Sequence, residues 1–204
     1  MTNGNTDKRM KRVANIAIVG LTAVLLSACA SFSTPPQTFD LAAPGGSPTG
    51  QQGRSTQLLI PEPTAVRTLD AQQIAIQPAP LTLEYLAQAQ WTDRLPRLVQ
   101  LRLLQAFQNT GRTGAVGVPG QGLAIDYQIV TEIRRFEVSL PEQAAVVEIS
   151  VKALNDRSGQ VRAARIFEAR VPLAGSGNGA YVTALNQAFA QATSQIVDWT
   201  LRLV

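Results

Sequence analysis

The chain has 204 residues, with 18 basic and 14 acidic side chains, one cysteine and no histidine. Without histidine there is no His-ligated zinc and no Ser-His-Asp or Cys-His catalysis, and a lone cysteine rules out an internal disulfide. Lys8, Arg9, Lys11 and Arg12 crowd the N-terminus, whereas beyond residue 28 fourteen basic groups face thirteen acidic ones with no Lys/Arg block, a balance that excludes nucleic acid as the expected partner.

The four N-terminal cations precede a 14-residue apolar run from Val13 to Leu26. A membrane-spanning helix needs about 20 residues, so residues 1–28 read as a signal peptide, cleaved in the mature chain. The run ends in Leu26-Ser27-Ala28-Cys29, and these four residues resemble the bacterial lipobox. The resemblance implies a diacylglyceryl thioether on Cys29, cleavage just before it and a further acyl chain on the new amino group. A single chain holds a protein to a membrane only marginally, at about 0.8 kcal/mol per buried methylene, whereas two or three chains give a lasting anchor. Ala30 and Ser31 follow, so the acidic residue that marks inner-membrane retention is missing. The expected location is the outer membrane, facing the periplasm.

Residues 29–56 read as a lipidated, flexible tether. Pro35-Pro36, Gly45-Gly46-Ser47-Pro48 and the stretch from Gly50 to Gly53 give it little to bury. The segment Thr38-Phe39-Asp40-Leu41 interrupts it as a first strand pinned to the folded region.

A single domain is expected over 57–204. Leu58-Leu59-Ile60 and Gln73-Ile74-Ala75-Ile76 are short strands, the first closed by Pro61 and the second by Pro78. Thr82 to Gln90, rich in Ala and Gln, reads as partly helical. Thr92 or Asp93 then caps a helix with Pro96 in its first turn, ending near Asn109 with Gly111 as its stop. Leu95, Leu98, Val99, Leu101, Leu103, Leu104, Ala106 and Phe107 cover most of that helix. Arg97, Gln100, Gln105 and Gln108 are left as a narrow wet stripe.

After a short strand at Ala115 to Val118, the residues Leu123, Ile125, Tyr127, Ile129, Thr131 and Ile133 alternate with polar ones as a long strand. Phe136 and Val138 continue the apolar face in the opposite phase, which places a β-bulge at Arg134-Arg135. Ala145 to Ala153 is the next strand, Asn155 to Gly159 a hairpin loop, and Val161 to Leu173 the returning strand. Tyr181, Leu185, Ala188, Ala192, Ile196, Trp199 and Leu203 form the apolar stripe of a C-terminal helix laid across this meander. The expected fold class is therefore α+β: a mixed, largely antiparallel sheet with two main helices packed on it.

Gly175, Gly177 and Ala180 satisfy Gly-x-Gly-x-x-Ala, but no parallel strand or acidic residue follows at dinucleotide spacing, so a loop is the reading. Glu132, Arg134, Glu148, Arg162, Arg165, Glu168 and Arg170 alternate along the strands as a solvated face with cross-strand ion pairs, a partner-binding face being the alternative. Trp91 reads as a core anchor. No catalytic, metal-binding or cofactor-binding residue emerges. Cys29 is the one candidate site, for lipidation.

Residues 57–111 resemble the ABC-type transport auxiliary lipoprotein family, the PqiC-like group. The features that carry the resemblance are Leu69-Asp70, the strand at Ile74 to Ile76, Leu83-Glu84-Tyr85, Trp91, the helix from Pro96 to Phe107 and the Gly111 stop, behind a lipobox and Phe39-Asp40-Leu41. The resemblance implies a non-catalytic envelope lipoprotein that docks an MCE-domain periplasmic protein, together with the ABC permease and ATPase of a system moving phospholipid or other hydrophobic molecules. It leaves homo-oligomerisation open. An outer-membrane assembly factor, supporting lipopolysaccharide insertion or activating a cell-wall synthase, is the competing expectation.

Overall fold

A computed structural model describes residues 35–42 and 56–204. The expected signal peptide, Cys29 and the rest of the tether lie outside the described residues.

The chain is organised around one long strand. In chain order the elements are β1 (Gln37–Phe39), β2 (Gln57–Leu59), β3 (Thr64–Ala65), β4 (Gln73–Ala79), β5 (Thr82–Trp91), α1 (Leu95–Thr110), β6 (Ala115–Gly117), β7 (Tyr127–Ser139), β8 (Ala144–Asn155), β9 (Val161–Pro172) and α2 (Asn178–Leu203). β7 pairs along its whole length with β8, and β8 with β9, both antiparallel. Its other edge is shared in succession by β2, β3 and β4, all parallel to it. β5 then pairs antiparallel with β4, β1 adds in parallel at the outer edge of β5, and β6 adds in parallel to β2. This is the mixed α+β sheet that the alternation along the three-strand meander demands, with the expected bulge between Ile133 and Arg135.

One face of the sheet carries the core. Ile129, Ile133, Phe136, Val147, Ile149 and Val151 all lie inward, and α2 crosses β8 and β9 above them. Leu185, Ala188, Ala192 and Ile196 are fully buried as the helical stripe requires. Tyr181, Trp199 and Leu203 are only half-buried at its margin, with Trp199 edge-on to Phe167 at 5.5 Å. α1 lies beside α2 and ends on Gly111, whose φ of 61° closes the helix in the left-handed conformation.

Several expectations change. Thr82 to Gln90 is a strand and not part helix, because β4 offers it a ladder: Ala75 pairs with Tyr85 and Gln73 with Gln90, and Gln88 at φ 56° sits in the bulge between them. Pairing outweighs the weak helix preference of its Ala and Gln residues. Pro78 does not close β4, which runs on to Ala79 and turns through Pro80-Leu81. Neither Thr92 nor Asp93 caps α1. Arg94 holds that position without a side-chain cap, while Thr92 bonds to Asp40 and Asp93 to the Arg94 backbone N–H. Gln100 is buried, not wet, and its amide donates to the Ile60 carbonyl at 2.9 Å. Leu123 and Ile125 precede β7 in a loop held open by Gly120 and Gly122, both at positive φ.

Candidate functional site

Cys29, the predicted lipidation residue, lies outside the described residues, so the site that can be built is the edge onto which the described chain nearest to Cys29 is fixed. That edge is β1. Its residues Gln37, Thr38 and Phe39 register with Ala89, Gln90 and Trp91, and the Thr92 N–H donates to the Phe39 carbonyl at 2.8 Å.

A strand of three residues is too short to hold by its ladder alone, and the surrounding side chains explain why it holds. Leu41 is completely buried. The Arg102 guanidinium, projecting from α1, donates through Nε to the Leu41 carbonyl and through a terminal nitrogen to Asp40, each at 2.6 Å. The Ala42 N–H donates to Asn186 Oδ1 on α2 at 2.6 Å. Three elements therefore grip residues 39–42.

Behind the edge an aromatic series carries the contact inward. Trp91 meets Phe136 edge-on at 5.9 Å, and Phe136 meets Phe189 of α2 at 5.8 Å. Trp91 is 1% exposed and is the core anchor expected of it. The Leu69-Asp70 feature also has a structural role: Leu69 is buried, and Asp70 accepts from Arg94 Nε at 2.8 Å, joining the turn to the start of α1. Asp70 and Glu62 beside the exposed Arg94 raise its pKa, the Asp70 hydrogen bond foremost.

The polar outer face of the sheet is charge-paired. Arg134 reaches Glu148 at 3.4 Å, and Arg135 bridges Glu137 at 2.8 Å and Glu142 at 2.7 Å. Arg170 joins Glu142 to Glu168. Burial lowers the Arg135 pKa, but the hydrogen bonds to Glu142 and Glu137 more than offset it and leave the value raised. The same hydrogen bond holds the Glu142 carboxyl below its usual range. Glu132, Arg162 and Arg165 stand apart from this network, with Arg165 over the Phe167 ring at 5.1 Å. The expected ion-paired face is thus present over part of its length, centred on Arg135 and Glu142. Glu137 and Glu142 had no distinguishing signal in the sequence beyond alternation.

A groove of about 280 Å³ between the helices is lined by Ala106, Thr110, Ala190, Thr193, Ser194 and Val197. Sites that enclose a drug-sized ligand run to about 300–1,000 Å³, so this groove is too small to enclose a diacyl lipid. Among the described residues no three acidic, cysteine or histidine side chains gather to hold a metal ion, and no helix is long and apolar enough to cross a membrane. The Gly175 to Ala180 segment is the loop leading into α2.

Comparison with known proteins agrees with this geometry. Protein XCC0632 from Xanthomonas campestris has a crystal structure that matches 82% of this chain and 95% of its own, with a TM-score of 0.75 at 27% identity. The hypothetical protein CT253 from Chlamydia trachomatis shares the fold over 74% of this chain and 98% of its own, at a TM-score of 0.50 and 10% identity. An uncharacterized protein from Bradyrhizobium diazoefficiens, bll6063, is 33% identical over 177 residues, covering 82% of this chain, and the chain spans 45% of that relative's length. The family model for the ABC-type transport auxiliary lipoprotein component matches residues 38–197, from β1 into α2. The chain belongs to the ABC-type transport auxiliary lipoprotein family.

Proposed function

We propose that the protein is a lipid-anchored periplasmic accessory of an ABC transport system of the MCE type, held to the outer membrane through acylated Cys29. It acts by docking its MCE-domain partner and not by catalysis. The transported molecules are phospholipids or other hydrophobic compounds.

The observation that carries this reading is the fixing of β1. A flexible linker that ended in a loose loop would leave the domain free to drift from its anchor. Here the segment that begins eight residues after Cys29 is gripped by β5, α1 and α2 together. An acyl anchor at Cys29 would thus keep the domain within a short reach of the membrane, which raises the effective concentration of a partner at the same surface.

The test is the distribution of phospholipid between the two membranes in cells lacking the protein, restored either with the native chain or with Cys29→Ser. The native chain is expected to correct the distribution and the unanchored one to fail. An unchanged distribution accompanied by a lipopolysaccharide or peptidoglycan defect would instead support the assembly-factor reading.

A further inference from the structure

Among the described residues, the β4–β5 hairpin ends in an exposed apolar tip. Leu81, Leu83 and Tyr85 are 104%, 39% and 43% exposed. Glu84 is the one charged residue between Asp70 and Asp93. Leu81 itself stands at φ 62°, a conformation for which glycine or asparagine is the ordinary choice. Neither backbone preference nor hydration favours a leucine there.

The direction of β1 says what lies beside this tip. β1 is parallel to β5 and β5 is antiparallel to β4, so the chain traced backwards from β1 heads the same way as β4, toward the hairpin turn. Thr38, Gln90 and Gln73 share one level of the sheet. From Gln73 the hairpin extends six further residues to Ala79, about 20 Å at strand spacing. Nine residue steps separate Cys29 from Thr38, and a fully extended chain of that length reaches about 30 Å. The described chain thus leaves β1 toward the side to which the tip projects, and an acylated Cys29 would lie within a reach that brings the tip to the lipid surface.

We infer that the hairpin tip is a second, non-covalent membrane contact, with Leu81 and Leu83 entering the acyl boundary of the bilayer and Tyr85 at headgroup level. This rests on the proposed acylation of Cys29. Leucine beside an aromatic ring with a polar edge, on an almost uncharged hairpin, is the composition an interface accepts. Two contacts would fix the tilt of the domain, which one flexible lipid anchor cannot do.

The test uses the full lipidated protein in vesicles of phosphatidylethanolamine and phosphatidylglycerol. Because acylation consumes the Cys29 sulfur, Leu81→Cys or Leu83→Cys supplies the free thiol for a nitrobenzoxadiazole label. Val161→Cys, whose neighbour Leu154 pairs with Gln128 at the opposite end of β7, is the control. The labels at 81 and 83 are expected to shift to the blue and to be quenched by chain-nitroxide lipids several-fold more strongly than the label at 161. Protein that floats with the vesicles while residue 81 is as open to aqueous iodide as residue 161 overturns the inference and leaves the anchor standing. Protein that does not float overturns the anchor and the inference together. A label shielded from iodide but untouched by lipid nitroxides assigns the tip to a second copy of the chain and also overturns it.

Discussion

Arg102 on α1 donates to the backbone carbonyl of Leu41, sixty-one residues earlier, at 2.6 Å, and that single guanidinium ties the edge strand to the helix layer. Its side chain is 15% exposed and also holds Asp40, so it forms the kind of charge-assisted contact that outweighs a neutral hydrogen bond.

Arg102→Ala is expected to loosen β1 without unfolding the domain, at a cost of roughly 1.5–3 kcal/mol. Hydrogen exchange at the Thr92 amide, which donates to Phe39, should accelerate while amides of the β7–β8 ladder keep their protection. Arg102→Lys should restore little, because one ammonium lacks the fork that serves Leu41 and Asp40 together. Unchanged protection at Thr92 would show that β1 is held by other contacts.

Trp91→Ala should cost about 3–5 kcal/mol by opening a cavity against Phe136, read as a lowered denaturant midpoint. Since Phe136 also meets Phe189, Trp91→Ala and Phe136→Leu should be non-additive in a double-mutant cycle. Full additivity would mean that the aromatic series is not energetically connected.

Gly111→Ala should destabilise by about 1 kcal/mol, because alanine must take up the φ of 61° that ends α1. Gly111→Asn should cost less, asparagine being the better tolerated of the two in that region. Thermal denaturation of the two variants checks the order.

The Glu142 carboxyl is held below its usual range, first by its hydrogen bond from Arg135. A depressed folded pKa means that the unfolded chain binds the proton more tightly. The stabilisation is thus complete above the ordinary carboxylate value of about 4.3 and is lost as pH falls through the lower folded value. Glu142→Gln should flatten that acid limb of the stability curve and leave neutral pH less affected than Glu137→Gln, since Glu137 is 6% exposed and the second substitution removes the better-buried carboxylate charge facing Arg135 at 2.8 Å. An acid limb unchanged in Glu142→Gln would contradict the assignment.

How much of this was legible in the residues follows from where the information sits. The β7 bulge, the Gly111 stop, the meander and the burial of Trp91 are written locally, in a phase flip, a helix stop, alternation and a lone aromatic. β5 was not legible, because its Ala-Gln composition prefers helix weakly and only β4 makes it a strand. The buried role of Gln100 depends on an Ile60 carbonyl forty residues away, and the grip of Arg102 on one sixty-one away. No spacing rule reaches that far. The exposed hairpin tip was equally hidden, since Leu83 and Tyr85 look like core residues until their strand is placed beyond the core.

The central claim, that an anchored domain docks a transport component, is tested most directly by crosslinking the native lipoprotein in cells, purifying it and identifying its partners by mass spectrometry, with Cys29→Ser as the unanchored control. The account predicts that an MCE-domain protein or its ABC permease dominates the anchored sample and is depleted from the control. An outer-membrane barrel or a cell-wall synthase in that place, with no MCE-type partner, would contradict it.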